Sequence, residues 1–349
     1  MGVARGRRGV NRAERHLAKR LVAERAAIYR PLMQEGLLIL AGIVLLTLGG
    51  ELLVRGSVAT ARWFGVSPLL IGLTFVGFGT STPELVTSVQ ASLAGSPGIA
   101  LGNIVGSNIA NLLLALGIAA VIAPIPVGSR ALGRDGGLLL GITLGFSAVS
   151  LFLPLSLPIG MVLLAGLVAY LALAFAEEQS AVAKLETAAE ERIPSAATRG
   201  KSLYAPTMMA VGGLISLLSG AHLLVDSSVT LAAALGIPDT VIGLTVVAVG
   251  TSLPEAFTSA LAAYRRQPEV AFGNAIGSCL YNLLGIGGVT AILAPIPVPD
   301  RIASFDNPIM LAATLLVLAF GLSRRRIDRL EGLVLLTGYL AYLVWTWLA

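Results

Sequence analysis

The chain has 349 residues, 56% of them hydrophobic and only 12% charged. A soluble domain carries about twice that charge fraction, so composition excludes a soluble globular protein and points to a polytopic helical membrane protein. The net charge of +5 identifies no partner, and the single cysteine, Cys279, excludes an intramolecular disulfide.

Residues 1–35 differ from the rest. Nine basic residues (Arg5, Arg7, Arg8, Arg12, Arg15, Lys19, Arg20, Arg25 and Arg30) face only Glu14, Glu24 and Glu35. This basic head is expected to be disordered. The alternative is a basic amphipathic helix on the membrane surface, with Leu17, Leu21, Val22 and Ile28 as its apolar stripe. No apolar core with a small-residue cleavage site follows, so a signal peptide is not expected. Ten membrane spans come next, at about 36–54, 67–94, 98–122, 137–153, 157–176, 205–225, 239–264, 269–293, 307–322 and 331–348. A polar stretch with Glu177, Glu178, Lys184, Glu186, Glu190, Glu191, Arg192, Arg199 and Lys201 separates the fifth span from the sixth. The organisation read from this is a head (1–35), a first five-helix repeat (36–176), a linker (177–204) and a second five-helix repeat (205–349).

The word repeat rests on residues. Gly79–Glu84 reads GTSTPE, and Gly250–Glu255 reads GTSLPE, 171 positions later. The same offset relates Gly72-Leu73-Thr74 to Gly243-Leu244-Thr245, Gly102-Asn103 to Gly273-Asn274, Gly106-Ser107 to Gly277-Ser278, Asn111 to Asn282, and Pro124 to Pro295. Five spans per copy is an odd number, so the second copy enters from the opposite face. The expected fold is therefore an all-α membrane protein of ten helices in two inverted five-helix repeats, an architecture frequent among secondary transporters. If the first span starts outside, the inner loops hold Arg55, Arg62, Arg130, Arg134, Lys184, Arg192, Arg199, Lys201, Arg265, Arg266, Arg324, Arg325, Arg326 and Arg329, and the outer loops only Arg301. That bias puts the linker in the cytoplasm, although the basic head opposes it.

Each copy buries one glutamate, Glu84 or Glu255, in an apolar span, where a carboxylate costs about 2.5–3.5 kcal/mol. Pro83 and Pro254 lack an N–H and disfavour α geometry just upstream, so spans two and seven are expected to be interrupted. Each then reads as a half-helix ending near Gly79 or Gly250, an irregular turn, and a second half-helix starting at the proline. Carbonyls freed at the break are ready cation ligands. Around it the inventory is all oxygen: Thr80, Ser81, Thr251, Ser252, Glu84 and Glu255, with Ser107, Asn111, Ser278 and Asn282 on spans three and eight. Asn103 and Asn274 fall on the same helix faces as those serines. Hard oxygen donors suit Ca2+ or Na+ rather than soft metals. A single such stretch is equally well a capping kink; two copies, each with a buried glutamate, are not. Gly102-xxx-Gly106 and Gly273-xxx-Gly277 read as packing motifs. Glu51/Arg55 and His222/Asp226 read as structural pairs near span ends, and Cys279 as a small packing residue.

GTSTPE with GNIVGSNIANLLLALG, and GTSLPE with GNAIGSCLYNLLGIGG, resemble the paired α-repeats of the Ca2+/cation antiporter superfamily, in its bacterial and archaeal sodium/calcium exchanger branch. The resemblance covers nearly everything after the head. It implies that Glu84 and Glu255 are the main Ca2+ ligands. It also implies that Thr80, Ser81, Thr251, Ser252, Ser107, Asn111, Ser278 and Asn282, with carbonyls near Gly77 and Ala248, complete the Ca2+ and Na+ sites. Some family members carry Asp where this chain has Asn282, which leaves two carboxylates here. The function implied is antiport of Ca2+ for Na+ across the cell membrane by alternating access, with no cofactor. The expected partners are the lipid bilayer and inorganic cations, with neither nucleic acid nor an obligatory protein. The alternatives are a Ca2+/H+ exchanger on the same fold and a cation channel. An intramembrane hydrolase lacks a visible nucleophile–base dyad.

Overall fold

In the computed structural model the first helix, α1 (Val3–Phe64), runs on past residue 54, where the first span was expected to end. No proline interrupts it after Pro31, and it closes only at Gly65, whose φ of +68° allows the left-handed cap that ends a helix. Arg55 and Arg62 therefore sit on the helix, not in a loop. The structure describes residues 3–129, 131–189, 203–236, 250–295 and 297–348. The side chains of 3–32, 178–189, 233 and 347 lie outside that description, and with them the expected amphipathic stripe of the head.

The second span is split into α2 (Pro68–Thr80) and α3 (Thr82–Leu93), bent by 45°. There follow α4 (Pro97–Ile122), α5 (Ala131–Phe152), α6 (Leu157–Ala189) and α7 (Tyr204–Ala234). The second half of span seven is α8 (Leu253–Tyr264). After it come α9 (Pro268–Leu293), α10 (Ile302–Arg324) and α11 (Arg329–Leu348). Each expected span overlaps a described helix, and the first half of span seven lies outside the described residues. A two-stranded pairing of β1 (Ile125–Pro126) with β2 (Arg326–Ile327), register Ile125 to Ile327, was not anticipated. It joins the ends of the third and ninth spans, where Pro124 and Pro126 hold the chain extended.

The repeat is written into the backbone. Left-handed residues close helices at Gly65 and Gly236, and again at Gly95 and Arg266, each pair 171 apart. At the second pair the amide beyond the cap returns to a carbonyl five residues back, Ser96 to Ala91 (2.8 Å) and Gln267 to Ala262 (2.8 Å). Single π-helical turns recur at the same offset, Ala110–Ala115 with Tyr281–Ile286 and Ala131–Gly136 with Ile302–Asp306.

Helices α4 and α9 form the centre, with 78% of their apolar windows buried; the other long spans bury 22–44% and face lipid. Two glycine contacts set the packing. Along α1 and α7, Gly42, Gly49 and Gly56 meet Gly220, Gly213 and Ala210 backbone to backbone; a Cβ on Gly213 would lie 2.3 Å from the Leu53 nitrogen. Along α2 and α9, a Cβ on Gly277 would lie 2.3 Å from the Leu73 carbonyl oxygen, and one on Gly273 2.6 Å from that of Leu69. With no water to expel between helices in lipid, such close approach is what supplies their attraction.

Candidate functional site

The break in span two is smaller than the sequence suggested. Only Ser81 leaves helical geometry (φ −83°, ψ 12°), and its repeat mate Ser252 has nearly the same values (−89°, 5°). Both lie in the sparsely populated bridge region. The prolines fall in the first turns of α3 and α8, where a missing N–H costs nothing. The first turns also carry Glu84 and Glu255. The carbonyls beside the break are already engaged, the Ser81 amide donating to that of Gly77 at 3.2 Å. The Thr80 hydroxyl lies 3.0 Å from the Val76 carbonyl and 3.2 Å from that of Gly77, and the Ser278 hydroxyl donates to Gly77 across the repeats at 3.1 Å.

Both glutamates are buried, at 1% and 0% exposure, so neither can be solvated from outside. Ser81, three residues before Glu84, donates its hydroxyl to Glu255 Oε1 at 3.0 Å and so joins the two repeats at the break. Glu255 Oε2 and both Glu84 carboxylate oxygens have no hydrogen-bond partner among the described residues, and no basic side chain there pairs with either glutamate. Ser252 Oγ, Asn111 Oδ1 and both polar atoms of Asn282 are likewise buried and unpartnered. Unpaired charge is strongly disfavoured away from water. Such a set of oxygens is stabilised by a positive charge placed among them, a metal cation or protons.

The sequence-derived residues divide as follows. Thr80, Ser81, Gly77, Ser278, Glu255 and Asn274 are joined by direct contacts. The carboxylate of Glu84, the amide of Asn282, the hydroxyl of Ser252 and the amide oxygen of Asn111 are buried without partners among the described residues. Ser107 is buried and Thr251 half-buried, and neither hydrogen-bonds to another of these side chains among the described residues. Ala248 lies outside the described residues. Asn111 and Asn282 both occupy π-helical turns, where the widened helix turns a side chain off the regular face.

Two further buried carboxylates were missed. Asp135 and Asp306, also 171 apart, were read as lying outside the spans because a charge normally marks a loop. They lie inside helices α5 and α10 because each is satisfied locally. Arg134 grips Asp135 with two hydrogen bonds (2.7 and 3.1 Å) and Tyr170 adds a third (3.3 Å); Tyr342 donates to Asp306 (2.9 Å). The repeat offset was the signal that marks them as a pair. Glu51 makes ion pairs with Arg55 and Arg265 (2.6 Å to the latter), and the His222 ring lies 3.2 Å from the Asp226 carboxylate, both away from the break.

The sodium/calcium exchanger protein family matches residues 35–176 and 206–348. Among curated proteins, the putative antiporter CaxA of Alkalimonas amylolytica is 37% identical over 313 residues, covering 87% of this chain and 96% of its own. The sodium/calcium exchanger MaX1 of Methanosarcina acetivorans is 35% identical, covering 88% and 97%. Among solved structures, the sodium-calcium exchanger NCX_Mj soaked with 2.5 mM Na+ and 0.1 mM Ca2+ superposes with a TM-score of 0.78 at 32% identity, covering 89% of this chain and 98% of its own.

Proposed function

The chain belongs to the sodium/calcium exchanger protein family, and from that premise we propose that it is a secondary antiporter exchanging Ca2+ for Na+ across the cell membrane by alternating access. The observation that carries this reading is the pair of buried, unneutralised glutamates from opposite repeats, with Ser81 reaching from one break to the other. One Ca2+ neutralises both carboxylates, and Na+ ions replace it at the same oxygens. The two cannot occupy the site together, and this exclusion couples the fluxes. Inverted repeats supply two related conformations in which the same site faces opposite sides.

Glu84 and Glu255 are the proposed charge ligands. Thr80, Ser81, Thr251, Ser252, Ser107, Asn111, Ser278 and Asn282, with the carbonyls of Gly77 and Ala248, supply neutral oxygens. The Gly77 carbonyl serves only when the Ser278 and Thr80 hydroxyls turn away from it. Asn282 brings no charge, so three Na+ would leave one positive charge held by neutral oxygens alone. Ca2+ uptake into proteoliposomes driven by an outward Na+ gradient tests the reading.

The proposed orientation places the linker in the cytoplasm and the C-terminus outside, on the strength of the loop charges. A cysteine at Ser195 is expected to react with a membrane-impermeant maleimide only from the cytoplasmic side, and one at Ala349 only from outside. The native Cys279 is fully buried and silent in this assay. Labelling of Ala349→Cys from the cytoplasm alone overturns the orientation.

A further inference from the structure

The amides of Asn103 and Asn274 do the same thing in both repeats. Asn103 Nδ2 donates to the main-chain carbonyl of Glu84 (3.0 Å) and to the Ser88 hydroxyl one turn further on (2.8 Å). Asn274 Nδ2 donates to the main-chain carbonyl of Glu255 (3.2 Å) and to the Ser259 hydroxyl (3.0 Å). The orientation of each amide is fixed by chemistry, because a main-chain carbonyl only accepts and so must face the NH2 end. Both hydrogens of that NH2 are then spent. The Asn274 Oδ1 is within reach of the Thr80 hydroxyl at 3.3 Å. Burial alone does not explain the pattern, since Asn274 is fully buried and Asn103 only partly so.

Resting on the two-glutamate reading above, we propose that Asn103 and Asn274 are positioning residues that set the rotation of the glutamate-bearing half-helices α3 and α8 about their own axes, and so set Ca2+ affinity without touching the ion. Each half-helix begins at a break, so no continuous helix upstream holds its rotation. The bond from the neighbouring helix goes to the carbonyl of the glutamate itself, and the second bond, one turn along the same face, makes the grip two-pointed. A carboxylate at the rim of a helix stands about 5–6 Å from the axis, so a rotation of about 10° moves it by about 1 Å. Displacements of that size are worth up to roughly a hundredfold where charged groups must converge. A divalent ion needs both carboxylates at once and is more sensitive to the shift than Na+.

The test measures Ca2+ and Na+ half-saturation and maximal exchange rate in proteoliposomes for Asn103→Ala, Asn274→Ala, Ser88→Ala and Ser259→Ala, with thermal unfolding of each purified variant. The asparagine variants are expected to raise the half-saturating Ca2+ concentration by about tenfold or more, and that of Na+ by less, with the maximal rate held within about threefold. The serine variants, which remove one of the two grips, are expected to shift Ca2+ in the same direction by a smaller factor. Lower unfolding temperature or abundance with unchanged half-saturation in the serine variants and in whichever asparagine variants fold overturns the proposal, since a merely structural tie gives that result. Glu84→Gln and Glu255→Gln are run alongside. If they retain Ca2+ exchange, the two-glutamate reading fails and this proposal with it. If they abolish exchange while the asparagine and serine variants keep wild-type half-saturation, only the positioning proposal fails.

Discussion

Replacing Glu84 or Glu255 by glutamine is expected to abolish Ca2+ exchange while the protein still inserts and folds. Glutamine keeps the shape and removes one charge, so a desolvated divalent ion faces a single carboxylate. Removing one partner from a buried charge set costs about 3–5 kcal/mol, which is a loss of roughly a hundredfold or more in affinity. Folding is expected to survive, because both Glu84 oxygens and one Glu255 oxygen make no hydrogen bond that the substitution would break. The pair works as one unit, so the double variant is expected to be no worse than either single one. The measurement is Na+-driven Ca2+ flux, with size-exclusion behaviour as the check on folding. Exchange near the wild-type rate in either single variant would mean that the repeated stretch is a structural kink.

Gly277→Val is expected to prevent α2 from seating on α9 and so to remove folded protein from the membrane. The added Cβ would stand 2.3 Å from the Leu73 carbonyl oxygen, 2.6 Å from its Cα and 2.7 Å from its carbonyl carbon. All three are backbone atoms, so no rotamer change relieves the overlap, and the cost is expected at about 3 kcal/mol or above. The same shift would pull Gly77 away from Ser278 and open the break. Gly141→Ala on α5 is the control, since a Cβ there meets nothing within 4 Å. Yields of monodisperse protein from the two variants decide the matter; equal yields would contradict the close-packed contact.

The repeat was legible because its offset holds without a gap across motifs, and the structure carries that offset into caps and π-helical turns that no propensity scale marks. Arg266 shows why such features are hard to read. It takes a left-handed conformation where its mate is Gly95, so residue type hides a cap that position reveals. The two buried glutamates were legible from hydropathy alone, since nothing nearby in sequence neutralises them. Asp135 was not, because Arg134 beside it makes the pair look like a loop, while in space Arg134 and Tyr170 both hydrogen-bond its carboxylate and let a helix bury it. The size of the break was misjudged for a related reason. Pro83 withholds its N–H only from the Gly79 carbonyl, and the Ser81 amide reaches the carbonyls of both Gly77 and Gly79, so the main chain itself closes most of the gap. Asn103 and Asn274 could be placed on one face with the serines, but sequence could not show that their nitrogens reach the carbonyls of Glu84 and Glu255.

The central claim is exchange of Ca2+ for Na+ at a shared site. Its most direct test is 45Ca2+ uptake into proteoliposomes of the full chain with an outward Na+, K+ or H+ gradient imposed in turn. The account predicts saturable uptake with the Na+ gradient, none with K+ or H+ alone, and acceleration by Ca2+ on the opposite side. Uptake driven by the H+ gradient and indifferent to Na+ would contradict it, as would a non-saturable flux that needs no counter-ion.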